Sequence, residues 1–353
     1  MSRMSRQHTA QHIPIHTSSR RPDPFTRELL LDFKLHKIWT ITLPYERLPG
    51  LPKSTPLVML HGFGVGSAFF CMNLENVAIG RTVYALDLPG FGRSSRPEFP
   101  NDALKIEQVF MGMLDQWRQA MHLDSFILLG HGFGGFIAAS YAASFPERVE
   151  HLILADPWGL EAHPEGINWN KPIPTWIKNH YDWEWAHAGG FLRACGPLGP
   201  LAVRGFSHYI CKRFLGGDSW AAADYVYQCN AVDNKSTEDA IMHLSKKILW
   251  ARNPALLKLK TLPLDFFVSF IYGEDSWLDP SPAEQFQNCR LRGTADLHLI
   301  PGVGHDSYAE DPPAFNQIVN GICSWVDSRK NVATLTPNAA MMVNMNRPGP
   351  SRI

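Results

Sequence analysis

Two rhythms of apolar and polar positions alternate along this chain. Short apolar runs, Leu57-Val-Met-Leu, Val83-Tyr-Ala-Leu, Phe126-Ile-Leu-Leu and His151-Leu-Ile-Leu-Ala155, each stop at a histidine, aspartate or glycine. Between them, stretches such as 106–123 space their apolar residues by three and four, the period of a helix with one buried face. Short continuous apolar strands separated by amphipathic helices predict a mostly parallel sheet covered by helices, an α/β architecture. Two further strands are predicted at 267–272 and 297–300. A closing helix is predicted over 314–326, with Phe315, Ile318, Val319, Ile322 and Trp325 on one face.

From Trp158 to about Thr261 the alternation stops. This stretch is loop-rich, then helical, with no expected strand of its own, and it suits a cap inserted over the carboxyl edge of the sheet. The implied organisation is a disordered leader (1–35), a first core segment (36–159), a cap (160–260), a second core segment (261–328) and a disordered tail (329–353). Trp169, Trp176, Trp183 and Trp185 crowd the early cap. Tryptophan suits cap packing and equally a lipid- or partner-facing surface.

Composition narrows the class. Lys+Arg and Asp+Glu are 33 each, so nothing in the charge balance points to nucleic acid. The six cysteines are scattered without a C-x-x-C pair, as expected of a reduced intracellular protein. No apolar run reaches the roughly 18 residues of a membrane span. No metal-ligand spacing, P-loop or dinucleotide fingerprint is present, so no cofactor is expected.

The candidate chemistry centres on Gly130-His131-Gly132-Phe133-Gly134, between a predicted strand and a predicted helix. This is the setting of the G-x-S-x-G nucleophile elbow, where a serine occupies a sharp strand-to-helix turn. Here Gly132 stands at the nucleophile position, so no acyl-enzyme can form there. The rest of the acyl-transfer set follows in hydrolase order, nucleophile, acid, histidine. His305, in Pro301-Gly-Val-Gly-His305, is the histidine candidate. For the acid, Asp279 is favoured over Asp275 in the same loop, with Asp156 third. His61-Gly62-Phe63-Gly64 is placed to form an oxyanion hole from backbone N–H groups near Phe63 and at Phe133. Ser307 and Cys71 are weak alternative nucleophiles, and water activated by His305 is another route.

Several longer segments are more specific: 55–64 (Thr-Pro-Leu-Val-Met-Leu-His-Gly-Phe-Gly), 83–97 (Val-Tyr-Ala-Leu-Asp-Leu-Pro-Gly-Phe-Gly-Arg-Ser-Ser-Arg-Pro), 151–159, Pro172-Ile-Pro-Thr-Trp176 and Ile271-Tyr-Gly273. Over roughly 36–328 the chain resembles the α/β-hydrolase-domain-containing 4 and 5 branch of the α/β-hydrolase superfamily. That branch holds a lipid-droplet co-activator of a triglyceride lipase and a lysophospholipase acting on N-acyl phospholipids. The resemblance implies an α/β-hydrolase fold with an inserted helical cap. The co-activator type carries asparagine at the elbow and the lysophospholipase type serine, so Gly132 sets this chain functionally beside the co-activator. Asp275 is closer to the lysophospholipase type. An H-x4-D acyltransferase motif of the branch reads His305 to Glu310 here, making Glu310 another candidate acid.

The expected function is therefore a pseudo-hydrolase of lipid metabolism that co-activates a patatin-type triglyceride lipase, working between the cytoplasm and the lipid-droplet surface. An acyl lipid or the droplet surface is the expected binding partner. The alternative is a lysophosphatidic acid acyltransferase or lysophospholipase.

Overall fold

The computed structural model describes residues 36–45, 54–162, 190, 192–206, 219–231, 236–247 and 250–333. The leader, the four cap tryptophans, the Pro172–Trp176 motif and the tail beyond Ala333 lie outside the described residues.

A seven-stranded sheet organises the chain. Its strands are β1 (Thr40–Leu43), β2 (Leu57–Leu60), β3 (Val83–Leu86), β4 (Phe126–His131), β5 (Val149–Ala155), β8 (Val268–Gly273) and β9 (Ala295–Ile300), in the order β1-β3-β2-β4-β5-β8-β9. Only β1 runs antiparallel, against β3; the other neighbours are parallel. Every residue of β2, β4 and β8 is buried, which is why these strands read as unbroken apolar runs. A sheet covered on both faces has no polar side to show in the sequence. Successive residues instead divide between two cores. Val58, Leu60, Leu128, Leu152 and Leu154 pack on one face, and Leu57, Met59, Ile127, Leu129 and Ile153 on the other. Each such fully buried aliphatic side chain stabilises the fold by about 1.5–3 kcal/mol.

Helices α2 (Ala103–Ala120) and α3 (Phe133–Ser144) cover the first face. The second is covered by α1 (Cys71–Val77) and the closing helix (Pro312–Ala333). Helix α2 begins three residues earlier than its apolar period suggests, because the Asp102 side chain caps it by accepting from the Lys105 N–H at 2.9 Å. It ends before His122, whose φ of +54° is left-handed. The closing helix runs longer than the expected 314–326, reaching Ala333.

The cap contributes helices α4 (Gly199–Phe206), α5 (Ser219–Ala231) and α6 (Ser236–Leu244). Contrary to expectation, this region also has strands of its own: β6 (Ser245–Lys247) and β7 (Trp250–Ala251) pair antiparallel. At three and two residues they are too short to show a period in sequence.

Helix α3 sits unusually close to the sheet. A Cβ at Gly134 would lie 2.5 Å from the carbonyl oxygens of both Leu60 and His61. Only glycine allows this approach, and it brings the start of α3 beside the loop that follows β2.

Candidate active site

The strand-to-helix corner between β4 and α3 has the elbow geometry. Gly132 has φ +53° and ψ −116°, a conformation that glycine adopts readily. Both its backbone groups are engaged. The N–H donates to the Ala155 carbonyl at 3.0 Å, and the carbonyl accepts from Gly135, Phe136 and Trp158 N–H groups at 3.0, 3.2 and 3.0 Å. The corner is thus held in the elbow conformation although it carries no side chain.

His305 follows β9 and reaches back to this corner. A Cβ built on Gly132 would lie 3.4 Å from its Nε2. On the other side of the imidazole, Nδ1 is 3.9 Å from Oδ1 of Asp156, a carboxylate with no exposed surface. Asp156 directly follows β5 and has φ +41°. Its N–H donates to the Ile271 carbonyl at 2.8 Å, and its Oδ2 accepts from the Gly273 N–H at 3.1 Å. Both bonds reach β8, so the neighbouring strand aims the carboxylate.

The carboxylate beside His305 is therefore not the one favoured from sequence. Asp279, the favoured candidate, uses Oδ1 to accept from the Ser281 N–H at 3.0 Å at the start of the 281–288 helix. Asp275 is exposed, and its N–H ties the acid loop to the histidine loop through the Val303 carbonyl at 2.9 Å. Asp156, ranked third from sequence, is the carboxylate that faces His305. Glu310 braces the histidine loop by accepting from the Gly304 N–H at 2.9 Å.

Charge at the site follows this geometry. Burial disfavours the His305 imidazolium. The Asp156 contact and the charges of Asp306, Asp156 and Glu310 outweigh it and raise the histidine above its ordinary value. Burial pushes the Asp156 carboxyl up, only partly offset by His305, Ser276 and the Gly273 N–H.

Two histidines shape the surroundings. His61 Nε2 accepts the Leu88 N–H at 2.9 Å; Nδ1 therefore carries the proton and donates to the Gly62 carbonyl at 2.7 Å. That locks the loop 61–66, which resembles an oxyanion loop, and the Phe133 N–H, in the first turn of α3, has no acceptor within its helix. Gly62 and Phe133 lie at the corner, with Gly62 Cα 3.6 Å from the position of a Gly132 Cβ. Phe63 is half-buried on the same loop.

His131 was not singled out from sequence. It is buried, and its Nε2 donates to the His305 carbonyl at 3.0 Å, fixing the histidine loop. Burial, followed by the charge of His305, holds its pKa well below the ordinary value, so it is neutral. Its signal was only its place next to the corner residue. The fold also gathers donor atoms of His131, His305 and Asp306 within 4.8 Å of one another, a set no sequence spacing revealed. His131 Nε2 already serves the His305 carbonyl and Asp306 Oδ1 is 3.7 Å from it, an arrangement that braces the loop. Of the alternative nucleophiles, Ser307 is fully buried and Cys71 is exposed at the start of α1.

The cap helix α5 closes over the oxyanion loop. Asn230 Nδ2 donates to the Gly64 carbonyl at 2.6 Å, the Tyr225 hydroxyl accepts from the Ala68 N–H at 3.2 Å, and Arg96 donates to the Cys229 carbonyl at 2.9 Å.

The arrangement can hold a histidine proton beside the 61–66 loop and the start of α3, with no serine between them. The profile of the alpha/beta hydrolase fold family matches residues 55–193. A bovine (lyso)-N-acylphosphatidylethanolamine lipase is 38% identical over 83% of this chain and 84% of its own length. A mouse 1-acylglycerol-3-phosphate O-acyltransferase, ABHD5, is 37% identical over 83% of this chain and 82% of its own. Among solved structures, an esterase from Exiguobacterium antarcticum superposes with a TM-score of 0.60 at 18% identity, over 82% of this chain and 96% of the esterase.

Proposed function

Since this chain belongs to the branch of α/β hydrolases that contains the (lyso)-N-acylphosphatidylethanolamine lipases and ABHD5, we propose that it is a pseudo-hydrolase of lipid metabolism. In this reading it holds an acyl lipid in an inherited site without cleaving it, and co-activates a patatin-type triglyceride lipase at the lipid-droplet surface. It would be intracellular, moving between cytoplasm and droplets.

One observation carries the proposal. Gly132 keeps the elbow conformation, with the histidine Nε2 3.4 Å from where a Cβ would be, yet supplies no hydroxyl. Removing a triad nucleophile typically leaves only about 10³–10⁴-fold acceleration over water, from the oxyanion hole and binding. That residual is far below what a lipase needs. None of the helices among the described residues is long and apolar enough to cross a membrane.

A second reading is favoured by the retained His305–Asp156 alignment. It makes the chain an acyltransferase or lysophospholipase in which His305 activates water or an acceptor hydroxyl directly. The test is fatty acid release from triglyceride droplets by the purified protein, a patatin-type lipase from the same organism, and both together. Release above that of the lipase alone only when both are present supports co-activation. Release by this protein alone, abolished in His305→Ala, supports the enzyme reading and refutes the proposal.

A further inference from the structure

The gap at Gly132 has a chemical preference of its own. His305 Nε2 points to the space where a nucleophile side chain would begin, and no described residue accepts from that nitrogen. Behind the ring, the wholly buried Asp156 leaves Oδ1 without a hydrogen bond and facing Nδ1. A proton on His305 neutralises that carboxylate and leaves a second N–H directed into the gap. Phe133, the residue after the gap, opens α3, a twelve-residue helix whose first N–H groups have no acceptor within it and whose N-terminus favours negative charge. Half-buried Trp277 packs on the His305 ring at 4.8 Å, and Phe63 stands on the oxyanion loop, so aromatic surface borders the gap.

A planar group with two acceptor oxygens separated by one carbon matches these donors. In a serine hydrolase the acyl carbonyl oxygen and the serine oxygen occupy the two positions. With the serine gone, both oxygens can come from the ligand. We infer that this site binds the carboxylate head of a free long-chain fatty acid, one oxygen in the oxyanion hole and the other beside His305 Nε2. The inference rests on the non-hydrolytic reading above and names the ligand of that site. A fatty acid is what a neighbouring triglyceride lipase releases, so occupancy would report lipolysis. An ester places only a neutral alkoxy oxygen beside His305, and charge-assisted hydrogen bonds are roughly twice as strong as neutral ones.

Binding depends on the His305 proton. The acids whose charge reaches it are Asp156, Asp306 and Glu310. Asp306 Oδ1 lies 3.7 Å from His131 Nε2 and Glu310 bonds the Gly304 N–H, and the other titratable neighbour, His131, is neutral. As pH rises through the His305 value the imidazolium disappears and the fatty carboxylate loses its charged donor.

The experiment is titration of the full-length protein with sodium oleate below its micelle concentration, read by tryptophan fluorescence and calorimetry, beside methyl oleate, oleyl alcohol and octadecyl phosphate. Oleate is expected to bind about tenfold or more tighter than each of the other three. His305→Gln and Gly132→Ser are each expected to weaken oleate by a similar factor, with less than about threefold change for oleyl alcohol. Oleate affinity is expected to fall as pH rises through the His305 value and then level off, the total loss being about the factor seen in His305→Gln, as linkage to one proton requires. Equal affinity for oleate and oleyl alcohol, tighter binding of the phosphate, or no effect of His305→Gln would overturn the inference. If Gly132→Ser fails to fold, the wild-type ligand series and His305→Gln decide alone. Recovery of free oleate from methyl oleate would instead overturn the non-hydrolytic reading. A protein that binds oleate as expected but leaves the lipase rate unchanged refutes co-activation and leaves this inference standing.

Discussion

Restoring the missing hydroxyl is the most demanding test of the site. In Gly132→Ser the new Cβ sits 3.4 Å from His305 Nε2 and 3.6 Å from the Gly62 Cα, ordinary contact distances. The hydroxyl one bond further out falls within hydrogen-bond reach of Nε2 when rotated toward it. Removing the serine of a working triad costs about 10⁶ in kcat. The His305–Asp156 separation of 3.9 Å is longer than a hydrogen bond, so we expect part of that factor back: on the order of 10³-fold, or about 4 kcal/mol of barrier. The price is backbone strain, since a side chain at φ +53° costs about 1–3 kcal/mol of stability. The assay is turnover of p-nitrophenyl butyrate together with covalent labelling by a fluorophosphonate. In the Gly132→Ser background, Asp156→Asn should remove most of that gain, lowering turnover by up to about 10³ toward the level of the serine-less protein, and Asp279→Asn should lower it by less than about threefold. A folded Gly132→Ser protein that neither turns over nor labels would refute the preformed site. Loss of activity with Asp279→Asn but not Asp156→Asn would refute the acid assignment.

Three further outcomes follow from the same structure. His305 has its folded pKa raised above the ordinary 6.5, so its protonation stabilises the fold fully below about pH 6.5 and the contribution is lost as pH rises through the folded value. The urea midpoint of wild type minus that of His305→Gln should therefore be larger at pH 6 than at pH 9. Lys258 bonds buried Glu107, which also accepts from Ser140 and Asn253 at 3.1 and 3.2 Å. Lys258→Met leaves that carboxylate buried without its cation and should cost about 3 kcal/mol in urea unfolding; the same urea midpoint as wild type would count against the pairing. Gly134→Ala drives a Cβ to 2.5 Å from two backbone carbonyls that cannot swing away. It should lower the melting temperature more than Gly112→Ala, where nothing lies within 4 Å.

Strand-to-helix alternation, the corner at Gly132 and the position of His305 after the last strand were legible in the chain itself. Each is local: a buried strand shows as a short apolar run, and the turn carries a glycine, which takes positive φ without strain. Gly130-His131-Gly132-Phe133-Gly134 therefore declared both the corner and its missing nucleophile. Which carboxylate faces His305 was not legible, because Asp156 follows β5 while Asp275 and Asp279 share the loop after β8, and only strand order and the course of that loop bring one of them to the histidine. Tertiary structure decided among them by setting β5 between β4 and β8, so that Asp156 is aimed by its N–H bond to the Ile271 carbonyl and by the bond its carboxylate accepts from the Gly273 N–H. The same holds for His131. Its place in the sequence identifies it as the residue before the corner, and only the folded loop puts the His305 carbonyl 3.0 Å from its ring. Residue identity determines what a position can do chemically and which backbone conformation it tolerates. Which groups meet across 149 residues of chain, from Asp156 to His305, depends on strand order, a property that no segment carries by itself.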